Sequence, residues 1–403
     1  MAALQRGKHV YLEKPLATSL EEGRCVLGAR RREEEELLVP TLKVGLMGCG
    51  RIAHLVHLNI LTHLPDVELV VLAEPDAQQR AEASCRAPTA VAVADYAELL
   101  AMPEVDAVVI CLPNALHAEA AVAALQRGKH VYLEKPLATN LEDARKVLSA
   151  WRNTSVVGMI GFNYRFNALY QAAKQQMQSG TLGELVSVRS VFAAAARTLP
   201  TWKRQRQNGG GVLLDLALHH VDLVRFLFEQ EVCEVFAGLR SQHSEDDSAT
   251  LQLRLADGLV VQSFFSLNAV EEDRFEIYGT AGKLTVDRYC SFNIEITHPR
   301  RDNFARFRRL GRRLRSVLQS PYLWDKLLAP GREPSYHAAL AQFVTAARAN
   351  RPVSPDFWEG YRSLGVIAAA EESARTGQVI TLSDIAMEDG SERAQTARSS
   401  VER

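Results

Sequence analysis

The sequence is short of the features that would send it to a membrane, a metal or a nucleic acid. No apolar run approaches the ~18–20 residues of a spanning helix. The first residues carry none of the n-region, h-region and cleavage pattern of a secretion signal. Six cysteines (Cys25, Cys49, Cys85, Cys111, Cys233 and Cys290) are scattered over 403 residues, with no CxxC pair, no metal-ligand spacing and no dense disulfide framework. They are expected to be buried, reduced thiols of a cytoplasmic protein that holds no metal. Neither sign of charge is in excess: 47 Lys and Arg face 48 Asp and Glu, so no global field points to nucleic acid or a membrane surface. A chain of this length can bury substantial cores, and two or three domains are expected from length alone.

What is present begins at Leu42. The apolar run 42–47 leads directly into Gly48-Cys49-Gly50-Arg51-Ile52-Ala53, a GxGxxA between a predicted strand and a helical stretch over 53–64. Such glycines permit a tight turn and close backbone approach, and the helix start offers N–H groups to a pyrophosphate. A second strand, Val67–Ala73, ends at Glu74, 24 residues after Gly50. An acid there can accept hydrogen bonds from the adenosine ribose hydroxyls and repels a 2′-phosphate, which favours NAD, with NADP as the alternative should Asp76 or a nearby arginine intervene. The βα alternation continues with a helix near 76–86, a strand near 89–93 and a helix opened by Asp95. The strand Val105–Cys111 follows, then the turn Pro113-Asn114-Ala-Leu-His117 and a helix over 115–127. A strand ending in Glu134-Lys135-Pro136, a helix over 141–151 capped by Asn140, and the strand Val156–Ile160 complete a doubly wound parallel sheet over 41–160.

Lys135 is the residue this half is built to present. Proline fixes its own φ and pushes the preceding residue out of helical geometry, so the lysine stands on a turn at the carboxyl end of a parallel strand, where α/β sheets bind ligands. Residues 2–18 repeat residues 123–139 letter for letter. The first copy lacks the strands and helices that would make its Lys14 useful. Residues 1–40 therefore read as a duplicated fragment with a charged linker.

From Gly161 the pattern changes to alternating runs at 184–193, 232–240, 248–256, 259–267, 274–279 and 283–287, the mark of a mostly antiparallel sheet with one face covered. Within it lies Gly209-Gly210-Gly211, then a helix whose spacing predicts Asp215, His219 and Asp222 on one face at i, i+4 and i+7. A carboxylate and an imidazole one turn apart can converge on a ligand, whereas His220 points about 100° away and is expected to pack. Helices are expected over 335–349 and 357–376. Residues 300–318 carry eight arginines with Phe304, Phe307, Leu310, Leu314 and Val317 at helical spacing, expected to form a flap or subunit contact rather than a membrane anchor. Residues 386–403 read as a disordered tail.

Together these motifs resemble the glucose–fructose oxidoreductase/inositol dehydrogenase family, written Gfo/Idh/MocA, from Leu42 to about residue 385. The resemblance rests on GCGRIA, Pro113-Asn114 with His117, Glu134-Lys135-Pro136, Gly161-Phe-Asn-Tyr-Arg165-Phe, and Gly209-Gly210 leading to Asp215 and His219. It implies a Rossmann domain over 41–160 and, over 161–385, an α/β domain with an open antiparallel sheet that commonly serves as an oligomer interface, so a dimer or tetramer. It implies catalysis by Lys135, Asp215 and His219, cofactor contacts from Gly48, Cys49, Gly50, Arg51, Ile52, Glu74, Pro113, Asn114, His117, Glu134, Lys135 and Arg165, and substrate contacts from Trp202 beside the catalytic residues. The expected activity is NAD(P)-dependent hydride transfer between nicotinamide and a secondary alcohol or ketone of a sugar, polyol or sugar derivative. Two alternatives stand beside it: an NAD-recycling glycoside-cleaving enzyme, and a non-catalytic dinucleotide-binding regulator of the same fold.

Overall fold

The structure is a computed structural model that describes residues 41–298 and 334–384. The duplicated segment and linker over 1–40 with Lys14, the basic stretch 300–318 and the tail 386–403 lie outside the described residues.

Six short, mostly apolar strands make the first sheet. β1 (Leu42–Met47), β2 (Val67–Ala73), β3 (Val91–Val93), β4 (Ala107–Ile110), β5 (His130–Leu133) and β6 (Gly158–Ile160) pair in parallel in the order β3-β2-β1-β4-β5-β6. The order reverses at β1, which lies between β2 and β4, so a crevice opens at their carboxyl ends. All four residues of β4 are buried, as expected of a strand covered on both faces. The covering helices are α1 (Leu58–Leu61), which continues a π-turn over Ala53–His57, then α2 (Ala77–Arg86), α3 (Tyr96–Ala101), α4 (His117–Gln126) and α5 (Leu141–Arg152). Side chains of Asp76, Asp95 and Asn140 accept hydrogen bonds from the first-turn N–H groups of α2, α3 and α5, which fixes where each helix starts.

After α6 (Ala168–Gln178), which the strand-dominated reading of this half missed, the second sheet is laid down. Its strands are β7 (Leu185–Ala193), β8 (Val232–Arg240), β9 (Ser248–Leu255), β10 (Val260–Ser266), β11 (Glu272–Gly279), β12 (Lys283–Asp287), β13 (Glu295–Thr297) and β14 (Ile380–Thr381). Their order is β13-β12-β11-β7-β10-β9-β8-β14, antiparallel except for the parallel pair β7–β10. The period-2 pattern sets its faces: Ala249, Leu251, Leu253 and Leu255 are buried, and Thr250, Gln252 and Arg254 are exposed. α7 (Leu218–Phe228) continues a second π-turn, Leu213–Ala217, and lies over the covered face.

The last helices return to the first sheet. α8 (Pro334–Ala349) falls within 161–385 by sequence, yet Ala339, Leu340, Phe343 and Val344 share a core with Val44, Leu46 and Val109. Phe343 meets Tyr132 edge-on at 5.7 Å. α9 (Phe357–Thr376) sets Phe357 against Trp151 at 5.3 Å and also packs on β8. Burying a side chain of Phe size contributes about 1.5–3 kcal/mol, so Phe343 and Phe357 each add appreciably to the packing around the first sheet.

The cysteine expectation is corrected in part. The five described cysteines are free, but only Cys49 and Cys111 are buried; Cys85 and Cys290 are exposed and Cys233 is half-buried. The exposed pair sits at polar positions near the end of α2 and beyond β12, where the apolar pattern does not demand burial. No described helix is long and apolar enough to cross a membrane.

Candidate active site

The glycine loop opens the crevice. Gly48 takes φ +90°, and a Cβ there would lie 2.8 Å from the Cys111 carbonyl oxygen, so glycine is required for the turn to pack on β4. A Cβ on Gly50 would meet nothing within 4 Å, which leaves open space beside the helix start for a bulky ligand's backbone approach. Arg51, at that start, is exposed, and Ile52 is half-buried. The Cys49 N–H donates to Glu74 Oε2 at 2.7 Å and the Asp76 N–H to Oε1 at 3.0 Å. Each carboxylate oxygen keeps acceptor capacity for a ribose hydroxyl. Burial and the neighbouring Glu74 push the Cys49 thiol up to about 12, so it is inert as a nucleophile. Arg80 donates to the Glu74 carbonyl at 2.6 Å. The open space, the helix start and the acid at the end of β2 together fit a dinucleotide with an unphosphorylated ribose.

Three of the expected cofactor residues hold loops together. Glu134 is taken up by a histidine: its Oε1 meets buried His57 Nε2 at 2.8 Å, and His57 sits between Tyr132 and Tyr336. This ties β5 to the π-turn behind the glycine loop. His117 is buried with Nδ1 2.7 Å from the Pro136 carbonyl and Nε2 2.8 Å from that of Leu112. Burial lowers its pKa, and a neutral ring donates to one carbonyl at a time. The ring thereby bridges the loop carrying Pro113, which opens a short 3₁₀ turn, to the loop carrying Lys135. Asn114 Nδ2 donates to the Gly209 carbonyl at 2.7 Å, linking the first domain to the triple glycine. A Cβ on Gly210 would lie 2.2 Å from the Lys203 carbonyl oxygen, so this run lets the preceding loop fold close against it.

Lys135, on the cis peptide before Pro136, reaches across the seam between the sheets. Its Nζ donates to the Asp215 backbone carbonyl at 2.8 Å and lies 3.6 Å from Asp215 Oδ1. Two residues that the sequence analysis did not single out join the carboxylate: Lys203 Nζ donates to Oδ1 at 2.7 Å, and Arg197 Nη2 stands 3.7 Å from Oδ2. Burial pushes the Asp215 carboxyl up, but Lys203 and Lys135 outweigh it and hold the group well below the usual carboxylate range. Lys135 is lowered from an ordinary lysine because burial, assisted by Lys203, outweighs the attraction of Asp215. His219 is buried and stacked on Tyr164, with ring centroids 4.4 Å apart at 18°. Burial, then Lys135, hold it well below an ordinary histidine, so the ring is neutral at pH 7. Both His219 Nδ1 and Asp215 Oδ2 are buried without a hydrogen-bond partner among the described residues.

Of Asp215, His219 and Asp222, predicted on one face, Asp222 is taken up by Arg165, whose Nε and Nη2 donate to it at 2.8 and 2.6 Å, while Nη2 also donates to Glu359 at 2.6 Å. Arg165 is thus engaged by two carboxylates in the wall behind the site. Asp215 itself lies in a π-turn, Leu213–Ala217, that runs into the helix carrying His219 and Asp222. His220 packs as expected, with Nε2 3.1 Å from buried Asp273 and its ring stacked on Phe192. Asp273 also accepts from Tyr170 at 2.8 Å and from Arg288 Nε at 2.6 Å, and the Arg288 guanidinium lies 4.5 Å over the Tyr164 ring. Trp202 is half-buried in the 194–211 loop, its ring 5.4 Å from Lys203 Nζ. Tyr164 could have been found in the sequence, inside the GFNYRF motif. Arg197 and Lys203 sit in a loop without periodicity, where only the basic run 203–206 gave a signal.

A parallel sheet in 3-2-1-4-5-6 order with this glycine loop defines a dinucleotide-binding oxidoreductase, and the family profile "Oxidoreductase family, NAD-binding Rossmann fold" matches residues 42–162. The Gfo/Idh/MocA C-terminal domain profile matches residues 170–285, and the chain belongs to the Gfo/Idh/MocA family. It is 28% identical to a myo-inositol 2-dehydrogenase of Thermotoga maritima over 66% of this chain and 81% of that protein. It is 31% identical to a 1,5-anhydro-D-fructose reductase of Ensifer adhaerens over 54% of this chain and 67% of that one. Among solved structures, a levoglucosan dehydrogenase complexed with NADH and levoglucosan superposes with a TM-score of 0.74 at 26% identity, covering 85% of this chain and 99% of that one.

Glu74 gives the first prediction. Titration will show tighter binding of NAD(H) than NADP(H), and Glu74→Ser will narrow the difference by removing the charge that repels a 2′-phosphate. Tighter NADP(H) binding by the unaltered protein would contradict this role.

Proposed function

We propose that the chain is an NAD-dependent dehydrogenase that interconverts a secondary alcohol and a ketone on a sugar, polyol or sugar derivative. The observation that carries this reading is the meeting of Lys135, Asp215 and His219 at the seam, with a neutral imidazole and two buried acceptor atoms still lacking a donor. A substrate hydroxyl is the donor such a site lacks. When bound, the nicotinamide ring supplies the hydride acceptor. Gly48, Cys49, Gly50, Arg51 and Ile52 would lie along the diphosphate and Glu74 on the ribose. Pro113, Asn114, His117, Glu134 and Arg165 would act by holding the loops that line the cofactor.

In the oxidative direction His219 accepts the hydroxyl proton as a general base. Lys135 hydrogen-bonds the reacting oxygen and stabilises negative charge as it develops there. Asp215 holds the lysine chain in place, and Tyr164 fixes the plane of the imidazole. The names of the relatives, a myo-inositol dehydrogenase and a levoglucosan dehydrogenase, support a polyhydroxylated substrate. A dinucleotide-binding regulator would need none of this trio.

The open face of the second sheet exposes Phe236 and Phe264 among polar residues, which supports a second copy of the chain as its cover. Sedimentation should find a dimer or tetramer that Phe236→Glu with Phe264→Glu dissociates; a monomeric unaltered protein would contradict it.

Lys135→Ala and His219→Ala should each lower kcat by roughly 10²–10⁴, the range of a lost acid–base group, while cofactor binding largely survives. Near-normal turnover in Lys135→Ala would move the active site elsewhere. The pH profile follows from the two shifts. The rate should fall as pH drops through the depressed His219 value, below 6.5, and as pH rises through the depressed Lys135 value, below 10.5. Asp215 raises the lysine, so Asp215→Asn should move the alkaline limb to lower pH. An unmoved or upward-moved limb contradicts the assignment.

A further inference from the structure

The charge around Asp215 does not balance. Lys135, Lys203 and Arg197 all stand within 3.7 Å of its one carboxylate, and none of the three forms another ion pair among the described residues. One carboxylate answers one cation, which leaves two positive charges on the loop between β7 and the π-turn and at the end of β5. In the proposed reaction Lys135 is committed to the reacting oxygen. The other two come from the same short segment and keep free donors. Arg197 is 41% exposed and forms no hydrogen bond among the described residues, and Lys203, 24% exposed, gives one of its three ammonium hydrogens to Asp215. Like charges held this close repel, and a bound anion would relieve that repulsion. A neutral polyol offers nothing to them. A carboxylate or phosphate one or two carbons from the carbinol would meet a guanidinium fork and an ammonium, the pairing that forms short, charge-assisted hydrogen bonds.

Resting on the dehydrogenase reading, we propose that the substrate is an anionic sugar, a sugar acid or sugar phosphate, whose anion is held by Arg197 and Lys203 beside the carbinol held by Lys135 and His219. The loop thus selects the substrate and the seam does the chemistry. The fold of the loop fits this role: glycine at 210 lets the backbone of Lys203 pack directly against the triple-glycine run, where a Cβ would lie 2.2 Å from the Lys203 carbonyl oxygen.

Calorimetric titration of the NADH-saturated full chain tests this without requiring turnover. The probes are D-glucuronate, D-galacturonate, D-gluconate and D-glucose 6-phosphate against D-glucose, D-galactose and sorbitol. At least one anionic probe should bind about 10- to 100-fold more tightly than its neutral counterpart, the worth of a charge-assisted hydrogen bond, and the preference should shrink with added salt. The carboxylate and phosphate arms separate the two sources of the anion. Arg197→Gln and Lys203→Gln, each at a partly exposed position, should each reduce the ratio of anionic to neutral affinity. Equal or tighter binding of the neutral probes, or no binding of any anionic one, overturns the proposal. So does a loss of NADH affinity in the variants as large as the loss for the anionic sugar, which would assign both cations to the dinucleotide. Anionic preference in the titration, with no reduction of added NAD by the same sugars in a separate absorbance assay, would uphold the binding site and count against the dehydrogenase reading alone.

Discussion

The structure depends on one contact, the reach of Lys135 from the end of a Rossmann strand to Asp215 on the helix of the other sheet. It joins the two halves at two breaks in regular backbone: the turn at Lys135–Pro136 on one side and a π-turn on the other. The lysine donates to the Asp215 carbonyl, a group that helical hydrogen bonding alone would leave for an N–H further along. The site is therefore a property of the seam, and neither domain holds it alone.

The seam is stiffened from behind. Arg165, Asp222, Glu359 and Arg225 form one buried ion network, and His220, Asp273, Arg288 and Tyr170 form another. Buried ion pairs contribute little net stability after desolvation, but breaking one partner out is costly, so they fix geometry more than they add strength. Here both networks grip the helix that carries His219, one at Asp222 and one at His220. Arg288 bears on Tyr164, and Tyr164 on His219, so the imidazole is held by a stack that runs back to Asp273. Lids and flaps are not needed to explain its orientation.

Much of this was legible in the sequence because the physics is local. The period-2 runs gave the second sheet, with β8 and β12 placed at their observed ends, and the capping residues Asp95 and Asn140 marked their helices. Lys135 and the stretch carrying Asp215 and His219 stood out because proline and glycine punctuate the chain beside them. What was not legible depends on partners distant in sequence. Nothing around Asp222 says that it belongs to Arg165, 57 residues away. The π-turn that holds Asp215 leaves no mark in the apolar pattern. α8 reads as part of the second half and packs on the first, since its apolar stripe fits either sheet. Arg197 and Lys203 lie in an aperiodic loop whose path is set by contacts the sequence does not announce.

The central claim is that Lys135 and Asp215 act as one unit across the seam. A double-mutant cycle on kcat/KM with Lys135→Met, Asp215→Asn and the pair tests it directly. Residues in contact couple by about 0.5–3 kcal/mol, so the loss in the double variant should fall short of the sum of the two single losses by about that amount. Effects that add, with no coupling between the two positions, would show that they act separately and would contradict the account.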